Sequence, residues 1–292
     1  MKLDSTQIEI AGNQIGLIDS GEKEVFFEAV NTDKQINARI FHDRDLSGIY
    51  FSCTIFGGVR ISIVFNHDTD AYNDDIAALI QTTLQKADSS SCLICVWNKN
   101  RKIIESLKEK FQIQPYSGEH YYASIEFIMR RRNFTISDKC KPLHILPYEK
   151  KNIDQYLCLL DGAMNFGSVP PNYMGNKNEY TKKFAKLAEV NSFEAFWQNT
   201  ELVGLYWRKG AEIDMMAVAD NHQRKGYGSV ILTRAIETVF ESTDNEFAYL
   251  YAVDWNTKGQ SFYKKYGMEE NGHSYLLYLK NYDLGGKNEL IT

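Results

Sequence analysis

Apolar residues fall along this chain in alternating periods, and the order of the blocks recurs. In the first half, residues 49–56 and 59–65 are dense in β-branched and aromatic side chains and predict strands. Asp74 to Lys86 switches to a helical period, and Cys92 to Trp97 is a short buried strand. Arg101 to Phe111 puts Ile103, Ile104, Leu107 and Phe111 on one helical face. Tyr121 to Met129 closes the block as a strand. The second half repeats the order, with strands over 201–209 and 212–218, a helix over Ser229 to Phe240, a strand over Phe247 to Val253, a short helix over Lys258 to Tyr266 and a closing strand over Ser274 to Leu279. The turns Gly118-Glu-His-Tyr-Tyr122 and Gly272-His-Ser-Tyr275 are alike as well. A duplicated unit of the α/β (α+β) class is the economical expectation.

A polar, charged stretch from Arg130 to Lys141, followed by Pro142 and Pro147, suits a connection between the two copies. It predicts domains over 1–138 and 139–292. The Arg130 to Arg132 run reads as the solvated end of a strand.

The 292 residues carry 33 Lys+Arg against 38 Asp+Glu, a net charge of −5, so no global positive field exists to hold nucleic acid or anionic lipid. No apolar run approaches the ~18 residues of a membrane span, and the opening MKLDSTQIEIAGNQ lacks the charged and apolar regions of a leader. A cytoplasmic protein without nucleic-acid or membrane partners is expected. The five cysteines are too sparse for a disulfide framework, and Cys92-x-x-Cys95 has no second pair at zinc spacing, so structural thiols and no metal are expected.

Candidate chemistry lies in Asn221-His-Gln-Arg-Lys-Gly-Tyr-Gly-Ser229, between a predicted strand and a predicted helix. Gly226 and Gly228 let backbone approach a ligand, the helix start aims N–H groups at it, and Arg224 and Lys225 add positive charge. This combination suits a pyrophosphate. A dinucleotide fingerprint needs a third glycine where Ile231 stands, and no Gly-Lys-Ser/Thr follows for a P-loop. In the first half the corresponding His67 to Asp75 has no glycine and four aspartates, which oppose an anion.

Gln223-x-x-Gly226-x-Gly228, followed after a further strand by Asn256-x-x-Gly-x-x-Phe-Tyr263-x-x-x-Gly267-Met268, resembles the Gcn5-related N-acetyltransferase (GNAT) superfamily over roughly residues 140–280. Gly259 stands where Ala is common and Met268 where Phe is common. The resemblance implies tandem GNAT-like domains, each a central mixed, mostly antiparallel sheet flanked by helices, with acetyl-CoA bound by the second and the first a degenerate copy. It implies that the strand before the cradle splays from its neighbour. Main-chain groups of Met216, Ala217 and Val218 would then meet the pantetheine arm, and Val218 N–H would polarise the thioester. Gln223, Arg224, Lys225, Gly226, Tyr227, Gly228 and Ser229 would hold the pyrophosphate, and Asn256 and Tyr263 would border the cofactor. Tyr263 would protonate the departing thiolate.

An amine arrives protonated and needs a base. Glu212 sits eleven residues before Gln223, where histone-acetylating members carry theirs, and Asp214 is its alternative on the same expected strand face. His222 reads as an exposed turn residue. Transfer of acetyl from acetyl-CoA to a primary amine in a ternary complex is the implied function, with a silent acyl-CoA-binding sensor or scaffold as the alternative. The segment Ala163 to Gly175 and the first domain are the expected acceptor walls.

Overall fold

Each helix of the first unit starts where a polar side chain precedes an apolar stripe or where a loop ends. Helix α1 (Ser5–Ile15) is capped by Asp4, whose carboxylate accepts from Gln7 N–H at 2.8 Å while the Gln7 side chain accepts from Asp4 N–H at 3.0 Å. Helix α2 (Ser20–Asn31) is capped by Asp19, which accepts from Glu22 N–H at 2.8 Å. These elements belong to a computed structural model of the chain, which describes residues 3–43, 46–55, 58–115, 121–135, 143–165 and 172–280. The Gly118 turn, Cys140, the centre of the expected connection and residues 166–171 of the acceptor segment lie outside the described residues.

The chain continues through β1 (Gln35–Asp43), β2 (Leu46–Ile55), β3 (Gly58–Phe65), α3 (Asn73–Lys86), β4 (Cys92–Trp97), α4 (Arg101–Lys110) and β5 (Tyr122–Arg130). It then runs through β6 (His144–Pro147), α5 (Ile153–Ala163), α6 (Lys177–Glu189), β7 (Phe193–Gln198), β8 (Glu201–Lys209), β9 (Glu212–Val218), α7 (Tyr227–Ser242), β10 (Phe247–Val253), α8 (Thr257–Tyr266) and β11 (Glu269–Leu279). The order α-α-β-β-β-α-β-α-β thus occurs twice, led in the second case by β6.

Two compact units form, one of Met1–Glu126 with Asn271–Thr292 and one of Phe127–Glu270. Compactness and repetition therefore divide the chain differently. The repeats 1–138 and 139–292 remain our proposal for a duplication, whereas the final strand β11 is built into the first unit.

In the first unit the strand order is β1-β2-β3-β4-β11-β5. β1, β2 and β3 form an antiparallel meander, β3 and β4 are parallel, and β11 is antiparallel to β4 from Ser274↔Trp97 to Leu279↔Cys92. Strand alternation sends Ile61, Ile63, Phe65, Ile94 and Val96 into the core under α3 and α4, and Val64 and Cys95 into the core under α1 and α2. Cys92 and Cys95 consequently face opposite sides of the sheet, which separates their thiols. Burial pushes the Cys92 thiol up to about 12.

The second unit has the order β5-β10-β9-β8-β7-β6, entered by the last residues of β5. β6 to β9 are antiparallel, and α5 and α6 cover one face through Tyr156, Leu160 and Phe184, packed on Phe193, Leu205, Trp207 and Ala217. On α7, Ile231, Leu232, Ala235, Ile236 and Val239 are fully buried. Gly204 is needed on β8, because a Cβ there would come within 2.5 Å of both the Ala217 carbonyl oxygen and the Ile231 side chain.

Candidate active site

The site grows out of the way β9 meets its two neighbours. Ala219 N–H donates to Val203 C=O at 2.9 Å, which makes this pair and Leu205↔Ala217 the hydrogen-bonded positions of the antiparallel ladder. By alternation, the main-chain groups of Met216 and Val218 turn away from β8, toward β10. There β9 is paired in parallel at one position, Tyr249↔Glu212. In the first unit the corresponding strands β3 and β4 stay in register over five successive pairs, from Val59↔Cys92 to Ile63↔Val96. The second unit has an opening between its parallel strands, and the first has a continuous ladder there.

Of the three β9 residues expected to offer main-chain contacts, Met216 and Val218 face this opening. Ala217 does not, since its pairing groups belong to the β8 ladder and its side chain is buried under α5.

Past Val218 the chain makes a single 3-10 turn, Asp220–His222, and then two left-handed residues, Arg224 at φ 58° and Gly226 at φ 87°. Gln223 fixes the turn: its side-chain amide donates to Val218 C=O at 3.1 Å and to Asp220 Oδ1 at 2.9 Å. Gly226 is the N-cap of α7 and supplies no side-chain acceptor, so no side chain caps the helix start, the end at which backbone amides favour an anion. A Cβ on Gly228 would meet Phe262 at 3.4 Å and Val218 at 3.8 Å, ordinary contacts, so internal packing does not demand glycine there. A bare backbone surface beside the strand opening fits a pyrophosphate. Arg224 and Lys225 are exposed at its rim, as are Gln223 and Ser229. Tyr227 points inward instead, buried, with its hydroxyl donating to Gln198 at 3.1 Å.

On α8, Asn256 is the N-cap and its side chain accepts from Gly259 N–H at 3.0 Å. Gly259 follows from this cap, because a Cβ would lie 2.6 Å from the Asn256 amide nitrogen. Tyr263 is half-buried, its ring 5.5 Å from Phe127 and 5.4 Å from Phe262. Burial pushes its phenol up to about 12, so it is a proton holder at neutral pH.

The structure does not bring Glu212 together with Val218. Glu212 sits at the closed end of β9, six residues away, or ~20 Å along an extended strand. A bulge also intervenes, with Ile213 and Asp214 opposite Arg208 alone, so the alternation expected to give Glu212 and Asp214 a shared face is interrupted. Asp214 accepts from Trp207 Nε1 at 2.7 Å and pairs with Lys183 at 3.3 Å. His222 is a correction: it is buried rather than exposed, edge-on to Tyr227, with Nε2 3.2 Å from a Glu201 carboxylate oxygen. Gln198, Asp220 and Phe262, which shape the cradle from neighbouring elements, carry no signal in sequence because their roles depend on tertiary contact.

In the first unit the corresponding loop carries acidic side chains, and α3 has no side-chain cap. Asp68 accepts from Lys102 N–H at 2.9 Å, Asp75 pairs with Arg39 at 3.1 Å, and Asp74 pairs with Lys110. Among the described residues no group of His, Cys, Asp and Glu is placed to hold a metal ion, and no helix is long and apolar enough to cross a membrane.

Residues 185–268 match the family model described as acetyltransferase (GNAT) family. No curated protein matches the sequence. Among solved structures, a GCN5-related N-acetyltransferase from Sphaerobacter thermophilus is similar over 94% of this chain and 92% of that one, with TM-score 0.53 and 9% identity. A functionally unknown conserved protein from Staphylococcus epidermidis gives TM-score 0.53 at 16% identity, over 86% of this chain and 97% of that one. A Drosophila protein gives TM-score 0.58 at 9% identity, over 96% and 98%. At such identities these likenesses speak to fold. The segment that matches the GNAT family model spans the opened strand, the glycine turn and α8, and the solved structures share the fold of the chain around it.

Proposed function

We propose that the second half transfers the acetyl group of acetyl-CoA directly to a primary amine in a ternary complex, and that residues 1–138 are a copy that does not hold the cofactor. The observation that carries this reading is the contrast between parallel strand pairs: one pairing between β9 and β10, five between β3 and β4, while the helix that follows lacks a side-chain cap in both.

When bound, acetyl-CoA supplies an activated acyl thioester. Gly226, Tyr227, Gly228 and Ser229 offer amides to the pyrophosphate, with Gln223 holding the turn in shape and Arg224 and Lys225 supplying charge. Met216 and Val218 offer main-chain groups inside the strand opening, and Val218 N–H donates to the thioester oxygen. A donor already aimed at developing charge is worth ~3 kcal/mol. Tyr263 keeps its proton up to high pH and offers it to the departing sulfur, while Asn256 fixes the start of the helix that carries it. Glu212 lies ~20 Å along β9 from Val218, so the amine gives its proton to solvent water rather than directly to this carboxylate.

Calorimetric titration with acetyl-CoA, followed by free-thiol release over a panel of primary amines, tests this reading. Binding with amine-dependent thiol release is expected. Binding without release for any amine would leave the sensor alternative, and no binding would remove both.

A further inference from the structure

Hydrogen bonds fix which residue of one half stands for which of the other. Phe65 on β3 lies opposite Gly48, as Val218 on β9 lies opposite Gly204. The residue after each donates its N–H at 2.9 Å to the one before that glycine, Asn66 to Ser47 and Ala219 to Val203. Asn100 precedes α4 as Asn256 precedes α8, and each donates its N–H three residues back, to Trp97 C=O at 2.8 Å and to Val253 C=O at 2.9 Å. Phe65 therefore corresponds to Val218, Trp97 to Val253 and Ile104 to Gln260. We propose that Gln260 is a positioning residue that keeps Val218 N–H available to the cofactor, an inference that rests on the acetyl-transfer reading above.

β9 and β10 run parallel, so a ladder continued to the end of β10 would give Val218 N–H a carbonyl there. The Gln260 side-chain amide occupies that end: Nε2 donates to Val253 C=O at 3.0 Å and to Asp254 C=O at 2.8 Å. With the Asn256 N–H added, both lone pairs of the Val253 oxygen are used. On the facing strand the Gln223 amide holds Val218 C=O, so a glutamine ties back the end of each strand.

In the first half the same places are filled differently. Ile104 is fully buried and has no side-chain donor to offer Trp97. Asn100 does not cap its own helix but reaches across to β3, where its Oδ1 accepts from Phe65 N–H at 2.9 Å and its Nδ2 donates to Phe65 C=O at 3.0 Å. The amide that corresponds to Val218 N–H is thus consumed inside the protein. Asn256 stays on its own helix, with Oδ1 accepting from Gly259 N–H. Without the Gln260 amide, the β10 carbonyls would be acceptors in want of a donor, and Val218 N–H is the one the ladder would bring to them.

The test is calorimetric titration of the full chain and of Gln260→Met, which keeps the length and loses the amide. The ligands are acetyl-CoA and 3′-phospho-ADP, the part of the cofactor that carries the pyrophosphate and no pantetheine arm. The parent is expected to bind both. Gln260→Met should bind acetyl-CoA at least tenfold more weakly and 3′-phospho-ADP as the parent does. Gln260→Glu, matched in shape, should repeat this split and answers the question if the Met variant folds poorly. Equal losses for the two ligands, the mark of a general structural effect, or no loss for either would overturn the inference. The parent's own acetyl-CoA signal separates this failure from failure of the acetyl-transfer reading: without that signal both fall, whereas with it and no split only the role of Gln260 does.

Discussion

Glu212 and Tyr249 form the parallel pair at which β9 and β10 meet, and among the described residues the two strands share no further ladder position from there toward Val218. The same two strands lie on either side of the candidate site, so the geometry of one residue pair sets where the opening begins.

Gly228 and Gly226 should separate binding from stability. Gly228→Ala adds a methyl that meets ordinary contacts within the protein and replaces glycine in a helix, so thermal stability should hold or rise by ~0.5–1 kcal/mol while acetyl-CoA affinity falls at least tenfold. Gly226→Ala forces a side chain onto φ 87° and should cost ~1–2 kcal/mol of stability. Thermal unfolding and calorimetry on the two variants read both effects.

Removing the Tyr263 hydroxyl should be nearly silent in stability and costly in turnover. Its ring contacts with Phe127 and Phe262 survive in Tyr263→Phe. The expected outcome is unchanged acetyl-CoA affinity with kcat lowered by ~10²–10⁴. An unchanged kcat would remove Tyr263 from the reaction.

Asn256 has a visible structural role as a cap, and substitution can tell that role from cofactor contact. Asn256→Ala should destabilise by ~1 kcal/mol, and Asn256→Asp, which keeps the acceptor, should restore stability. If acetyl-CoA affinity follows stability through both variants, the residue acts through the helix start alone. An affinity loss that Asp fails to restore would assign it contact with the cofactor.

Stability of the first unit should fall as pH rises. Asp19 is buried beside Glu22, Glu126 and Arg60, and desolvation, reinforced by the Glu22 charge, lifts its carboxyl from 3.8 to about 7. A folded-state value above the unfolded one means its contribution is whole below pH 4 and is lost as pH climbs through 7. Glu126, which accepts from Ser20 N–H and from Asn271, is also shifted upward by burial and adds to the same trend. The unfolding temperature should drop from pH 6 to pH 9, and Asp19→Asn, which can still cap α2, should flatten that slope.

The strands and helices nearest the site were readable because each carries a clean period or a glycine signature. The predicted strand 212–218 is β9, and the predicted helix from Ser229 begins two residues earlier, at Tyr227. α1, α2, α5 and α6 escaped notice: α2 interleaves Glu22, Lys23, Glu24 and Glu28 with its apolar residues, and α6 buries only Phe184 fully. Nothing in the polar turn around His222 tells from sequence that Tyr227 packs edge-on against it. The bulge at Ile213 and Asp214 was invisible for a related reason, since register is a property of two strands and neither sequence records it alone. The partner of β11 was hidden in the same way. Its alternating apolar residues announce a strand, and nothing in them names β4, some 180 residues upstream, as the neighbour.

That last feature has a consequence for synthesis on the ribosome. The second unit, residues 127–270, is contiguous and can condense as soon as it emerges. The first unit waits, because Tyr275 and Leu277 complete the core under α3 and α4, and Asn98 N–H bonds to His273 C=O across 175 positions. The earliest part of the chain to be made is therefore the last to finish folding, and until β11 arrives the edge of β4 stays exposed as a template for other strands.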